Sequence, residues 1–537
     1  MTAFPTPRGV YLVPPEQGDS DARRASAAVQ ERLLGRPDIV RHKGRMALAI
    51  TLTTPQQALV EDLLFVRDVL DAEQISFLLV RGNDERPVIA IDRRDRGRLR
   101  TALAAACSNE PFYSKSIDAG RGQAILVADG ALSGTTKARI FRLFRPRVVL
   151  ASGLSYGASS GVQIELWEFA GDTIELPVEN SLTRRVIRAD EAERGSIERF
   201  GQTWPTIVNM FAGHASDISF DIDLVFSWVD GSSAEYRATR AAHMAGHPVG
   251  DGDDSEARFR QIDELKYALR SIHVYAPWIR RIFVVTDSAR PDWLADDPRV
   301  RFVRSEEFFT DPSVLPTYNS HAVECQLHHI TGLAEHFIYS NDDMFFGRAV
   351  SPQMFFSPGG ISRFIEAGLR IGLGSKDEQR SGYENAARVN RRLLLDRFGL
   401  LTTRHLEHAP TPLRRSVMAQ LEQEFAAEFA ATAASRFRSS DDISVTNSLY
   451  HYYALMTGRA VAQTAARVRY VDSTAQAGLR DMDRLLTKRS TDFFCLNDSS
   501  SPEIELDLRV SRVTEFLKAY FPLPAPWETG FPAITPN

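Results

Sequence analysis

Apolar positions recur at helical spacing over residues 21–36 and 55–73, whereas 46–52, 75–80 and 87–91 have the length and composition of short strands. A helix over 93–107 carries a basic face of Arg96, Arg98 and Arg100 that reads as solvated surface, and 161–169 reads as one further strand. Nothing before Asp217 concentrates chemical groups. Residues 21–215 are therefore assigned to an accessory α/β or α+β domain without a function, after a disordered or extended stretch at 1–20.

Past Gly213 the rhythm changes. Strands over 224–229, 281–286, 300–303 and 337–340 are interleaved with helices over 256–275 and 319–335. This alternation predicts parallel strands joined by right-handed crossovers, with ligands held outside the carboxyl ends of the strands. Helices then dominate, over 391–398, 412–434, 441–456 and 476–486, before a strand over 492–496 and a helix over 502–520. The expected fold class is α/β, a mostly parallel sheet with helical C-terminal additions. A catalytic domain is assigned to 216–525 and a tail to 526–537.

Composition narrows the function classes. Lys and Arg total 64 against 69 Asp and Glu, a formal charge of −5, so there is no basic surplus for a nucleic acid. Cys107, Cys325 and Cys495 are an odd, scattered set that fits neither a disulfide framework nor a zinc site, which points to a reducing, cytoplasmic location. Pro5, Pro7, Pro14 and Pro15 interrupt any signal-peptide core, and no apolar run has the ~20 residues that span a bilayer.

Two predicted strands end in acids, one at Asp230-Gly231 and one at Asn341-Asp342-Asp343, and Asn497-Asp498 repeats the pattern after 492–496. Carboxylates gathered on one rim repel one another unless a cation lies between them, which makes Mg²⁺ or Mn²⁺ the expected cofactor. The competing reading is that Asp230-Gly231 is a turn and Asp342-Asp343 a cap. Asp221 and Asp223 precede a hydrophobic run instead of following one, and so read as structural. The helix over 319–335 would put His321, Glu324 and His328 on one face, a metal-ligand spacing in principle or simply a solvated surface; a diphosphate site prefers oxygen ligands, so Asn319, Glu324 and His328 read as substrate contacts or as acid or base. Arg258, Asp263 and Glu264 stand near a helix start, where amides and an arginine can hold phosphate oxygens, and Arg438 begins a similar element.

Taken in order, these residues resemble the Stealth family of sugar-phosphate transferases. The blocks are Asp223 to Gly231 through Trp228 and Asp230; Arg258 with Asp263-Glu264-Leu265 on to Asp287; Asn319-Ser320 with Glu324, then 337–346; and Arg438 with Cys495-Leu496-Asn497-Asp498. The resemblance implies a Rossmann-like or GT-A-like fold. It also implies transfer of a hexose 1-phosphate, commonly from a UDP sugar such as UDP-N-acetylglucosamine, to a glycan hydroxyl in capsule or exopolysaccharide synthesis. Ser233 stands where members often have Asp, and Ser439 where the animal branch has His, so the base is left open among His328, His408 and an aspartate.

On this reading Asp342, Asp343 and Asp498 hold the metal, and Asp230, Glu324, His328, Asp343 and Arg438 are catalytic. Trp228, Gly231, Arg258, Asp263, Glu264, Asn319, Ser320, Asn341 and Asn497 contact substrate. The expected partners are a nucleotide sugar and a glycan acceptor, with peripheral attachment to assembly machinery and homo-oligomerisation both compatible. Two alternatives stand beside it: a conventional glycosyltransferase that releases a nucleoside diphosphate, and an inactive glycan-binding protein.

Overall fold

Strand-forming runs in the first half outnumber those that periodicity marks. The computed structural model describes residues 17–84, 86–118, 122–244, 262–498 and 502–531, and divides into two units between Ala212 and Gly213. In the first unit an eight-stranded sheet centres on Val162–Ala170, which pairs in parallel with Pro87–Asp92 and antiparallel with Ile140–Phe144. Helices Pro55–Ala72 and Arg96–Ala106 supply Leu63, Val66, Leu99 and Leu103 to its core. Thr54 fixes the start of the first of these by a reciprocal capping box with Gln57. Short strands such as Tyr113–Ser116, Arg194–Arg199 and Gln202–Ile207 carry little periodicity and are not marked by the sequence pattern.

The second unit runs β1 (Ile222–Ser227), α1 (Glu264–Tyr275), β2 (Ile282–Val285), β3 (Val300–Val303), α2 (Ser320–Glu324), β4 (His336–Asn341), β5 (Met344–Phe346), β6 (Ser362–Arg370) and α3 (Gly382–Phe398). It continues through β7 (Thr411–Arg414), α4 (Arg415–Glu424), α5 (Tyr450–Met456), β8 (Val468–Asp472), β9 (Phe493–Asn497) and α6 (Leu506–Tyr520). The main sheet has the order β3-β2-β1-β4-β7, with β1 to β4 parallel and β7 antiparallel at the edge. The expected mostly parallel α/β fold is therefore present.

A second sheet, β5-β9-β8, sets Met344 opposite Cys495 and Asp472 beside Asn497. Asp342-Asp343 is the link that carries the chain from β4 of one sheet into β5 of the other. Because β8 and β9 are parallel, their carboxyl ends finish at that same link.

Several helices are shorter than the apolar pattern predicts. The span 319–335 holds only α2 and a 3-10 turn at Leu327–His329, because Gln326 is buried and accepts from the Thr310 N–H and hydroxyl, both at 3.0 Å. The span 412–434 begins as the edge strand β7, where Pro412 is tolerated, and 441–456 opens on a π-turn before α5. Asp223 lies fully buried in β1 and takes two guanidinium nitrogens of Arg280 at 2.9 and 2.6 Å. Residues 526–531 do not form a free tail: Trp527 is buried, and the Glu528 carboxylate takes Arg270 of α1 through two contacts of 2.7 Å.

His451 in α5 is fully buried, with its Nε2 2.8 Å from the Thr446 carbonyl oxygen. Burial pushes its imidazole down from 6.5 to about 4. Below pH 6.5 the unfolded chain takes up this proton first, so stability falls between pH 6.5 and 4 and is unaffected above that window. The contribution is about 3 kcal/mol. Thermal melts at pH 7.5 and pH 5 should show this loss, and His451→Asn should reduce the difference between the two.

Candidate active site

The link after β4 gathers the acids. Leu496 N–H donates to the Asp343 carbonyl at 3.0 Å, which fixes the link against the end of β9. The Cys495 thiol donates to Asp343 Oδ2 at 3.3 Å, and His408 Nε2 lies 3.7 Å from the same oxygen. Burial, then the charges of Asp343, Asp342 and Asp498, raises the Cys495 thiol well above its usual range, so it stays a neutral donor. Burial pushes the Asp343 carboxyl up, but His408 and then Cys495 outweigh it and hold the group below its usual value. Tyr470 of β8 is raised by burial and then by Cys495, Asp343, Asp472 and Asp498. Asp342-Asp343 and Asp498, far apart in sequence, thus all act on the Cys495 thiol.

The residues fit a hard divalent cation. Asp343 Oδ1 is buried and makes no hydrogen bond among the described residues, which is costly for a carboxylate oxygen unless a cation meets it. Carboxylate oxygens of Asp342, Asp343 and Asp498 are the donor set that Mg²⁺ or Mn²⁺ prefers. Asp343, His408 and Cys495 present ligand atoms within 4.8 Å of one another, so His408 and Cys495 stand next to any cation that Asp343 holds. Asp498 is anchored by the Ser473 hydroxyl, and Arg509 Nη1 lies 3.8 Å from it.

Other predicted residues fall on the same edge of the main sheet or have structural roles. Ser227 at the end of β1 is in register with Asn341. Just beyond it Asp230 Oδ1 accepts from Ser232 N–H and hydroxyl at 3.0 and 2.6 Å, the turn geometry anticipated as the competing reading. Gly231 in that turn is buried. Trp228 faces inward, with its ring edge-on to Phe302 at 6.4 Å, and does not face outward toward a nucleoside. Asp263, at φ +60°, and the buried Glu264 open α1, whose start lies at the carboxyl edge as a crossover from β1 requires. Arg258 lies outside the described residues. Asn497 ends β9 beside Asp472.

Three predicted side chains are committed to the interior. Glu324 is 2% exposed and accepts from the Thr446 hydroxyl at 2.6 Å and the Tyr339 hydroxyl at 3.4 Å. Asn319 is 1% exposed and clamps Asp442 at 2.7 Å, which positions the loop that presents Arg438 to the Ser320 hydroxyl at 3.0 Å. His328 is buried against Glu422 at 2.8 Å, and its carbonyl accepts from Arg415, which follows the β7 residue paired with the start of β4. A crossover into β4 runs back toward the amino edge, so positions late in it recede from the acids. His328 is therefore out of place as a base at this site. Burial lowers its imidazole, while the two histidines hold the Glu422 carboxyl, despite its own burial, at about 2.

The sequence pattern leaves Tyr470, Asp472 and Arg509 unmarked, and names His408 only among alternatives. Asp472 carries the same signal as the other acids, since it ends a strand. Arg509 is 2% exposed one helical turn from the buried Val513, so a charge on an apolar stripe marks it. His408 sits in a loop with no periodicity.

Four regions of the chain match models described as Stealth protein conserved regions: CR1 at residues 220–248, CR2 at 258–364, CR3 at 407–455 and CR4 at 483–531. Arg438 lies in the third and Cys495 to Asp498 in the fourth, so the block that joined them in the sequence reading is two regions. The chain is 57% identical over 492 residues to the exopolysaccharide phosphotransferase CpsY of Mycobacterium tuberculosis (strain CDC 1551 / Oshkosh), covering 92% of each. It is 54% identical over 472 residues to an exopolysaccharide phosphotransferase of Nocardia farcinica, covering 88% of each. Among solved structures, the galactosyltransferase LgtC overlaps 58% of this chain and 98% of its own at 12% identity and a TM-score of 0.28, a likeness too weak to bear on chemistry. With four matched regions in order and relatives aligned over most of both chains, this chain belongs to the Stealth protein family.

Proposed function

We propose that the protein transfers a hexose 1-phosphate, such as N-acetylhexosamine 1-phosphate, from a nucleotide diphosphate sugar to a glycan hydroxyl in capsule or exopolysaccharide synthesis. What supports this reading is that Asp343 lies beside His408 and Cys495, that Asp342 and Asp498 act on the same Cys495 thiol, and that Asp343 Oδ1 is buried without a hydrogen bond among the described residues. The names of the relatives, exopolysaccharide phosphotransferases, support the reaction class.

A divalent ion bound by Asp342, Asp343 and Asp498 would neutralise the diphosphate and polarise the phosphorus under attack. His408, partly exposed beside Asp343, takes the proton from the acceptor hydroxyl. The hydroxyl oxygen bonds to the phosphorus that carries the sugar, and the bridging P–O bond breaks, releasing a nucleoside monophosphate. Arg438 offers its guanidinium to charge on the transferring group. The Asp230-Gly231 turn and the start of α1 line the same edge for the nucleotide.

The test is to incubate the protein with Mg²⁺, a glycan primer and candidate nucleotide sugars, and to identify the released nucleotide. Nucleoside monophosphate with a new phosphodiester supports the proposal. Nucleoside diphosphate makes the protein a conventional glycosyltransferase, and no turnover with any donor returns it to a binding role. Among the described residues no helix is long and apolar enough to cross a membrane.

A further inference from the structure

Arg388 of α3 is 6% exposed, and its Nη1 donates to the Glu384 carbonyl at 2.8 Å. Its Nε, like that of Arg380 just before the helix, is buried and makes no hydrogen bond among the described residues. Arg391 donates to the carbonyls of Gly372 and Gly374 at 2.7 and 3.2 Å, which draws that loop over the other two arginines. Both glycines have positive φ, +78° and +85°, and a Cβ on them would stand 3.4 Å from Arg388 Nη2 and 3.5 Å from Arg380 Nη2. The loop therefore lies directly on the guanidinium groups.

Buried N–H groups without acceptors are costly, and adjacent like charges add to the cost. Burial, then Arg380 and Arg391 against the opposing pull of Glu384, lowers the Arg388 guanidinium. An oxyanion would supply the missing acceptors and the opposite charge, and the planar fork of arginine matches a phosphate.

Neighbouring aromatic and histidine side chains link this cluster to the acids. Tyr383, 40% exposed, stacks on His405 at 4.5 Å, and Tyr470, 51% exposed, lies 6.4 Å from His408. His405 is within the field of Arg388 and Arg391, and Tyr383 within that of Tyr470 and Glu407. Exposed aromatic faces between two polar sites suit sugar rings.

We propose that Arg380 and Arg388, under the Gly372–Gly374 loop, form a subsite for the phosphodiester that an earlier round of transfer leaves on the acceptor glycan. This rests on the proposed reaction, in which each product carries a phosphodiester and becomes the acceptor of the next round. A neutral glycan would have no use for guanidinium N–H groups buried without acceptors, and on the proposed function the donor diphosphate is met by the acids and their cation.

The test uses the full chain and two synthetic primers of identical sugar sequence, one bearing a methyl phosphodiester one unit behind the reactive hydroxyl. The wild type should prefer the charged primer in kcat/KM. Arg388→Met and Arg380→Gln should each reduce that preference by about tenfold, chiefly through the primer KM. Arg380 is only half-buried, so its variant keeps the test decisive if Arg388→Met fails to fold. Equal use of both primers by the wild type overturns the proposal. So does a rise in donor KM with the preference intact, which would assign the arginines to the donor diphosphate. The two readings fail separately: a nucleoside diphosphate product overturns the reaction and with it the source of the phosphodiester, whereas a nucleoside monophosphate product with equal use of the two primers overturns the subsite alone.

Discussion

Asp343→Asn should lower turnover by about 100- to 1,000-fold while leaving the thermal melt close to that of the wild type. The substitution keeps the shape of the side chain and an oxygen for the Cys495 thiol, and it leaves the backbone bond from Leu496 to the Asp343 carbonyl intact. What it removes is the negative charge on the group whose Oδ1 is buried without a hydrogen bond. Raising Mg²⁺ should recover only part of the rate, since a neutral amide oxygen binds a hard cation poorly. A rate within threefold of the wild type would mean that the open oxygen has no part in the reaction.

His408→Gly should cost roughly 100- to 10,000-fold in kcat, the range for loss of a general base, and added imidazole should restore a measurable part of it. Rescue separates proton transfer from a purely structural role, because free imidazole can accept a proton but cannot rebuild a packed core. His408 is suited to the role by its partial exposure, 3.7 Å from Asp343. His328→Gln is the informative contrast. Its partner is Glu422 and its surroundings are core, so it should change the melting temperature far more than the rate.

The two acids after β4 and the one after β9 are legible in the sequence because an apolar run ending in Asn-Asp marks where a buried strand reaches water. Parallel strand order follows from the helix–strand rhythm, and that places Asp230 and Asp342 on one edge. Which distant strands pair is not written in local periodicity. The antiparallel match of Met344 with Cys495, which brings Asp343 to Asp498, is set by packing across about half of the second unit. Spacings of three and four along 319–335 say that His321, Glu324 and His328 share a face, but not that the face is buried. Its partners, Asp442, Thr446 and Glu422, come from segments about a hundred residues later. Arg388 lies before the helix that the apolar pattern marks over 391–398, and only the longer α3 and the glycine loop beside it bring it to notice.

On the proposed function, carboxylates from two separate segments make one cation site for a nucleotide diphosphate. Mn²⁺ titration followed by electron paramagnetic resonance, in the presence of a nucleoside diphosphate, measures this directly. The wild type should bind one ion, and Asp343→Asn and Asp498→Asn should each weaken that same ion. If either variant retains wild-type Mn²⁺ affinity, the two carboxylates do not share a site.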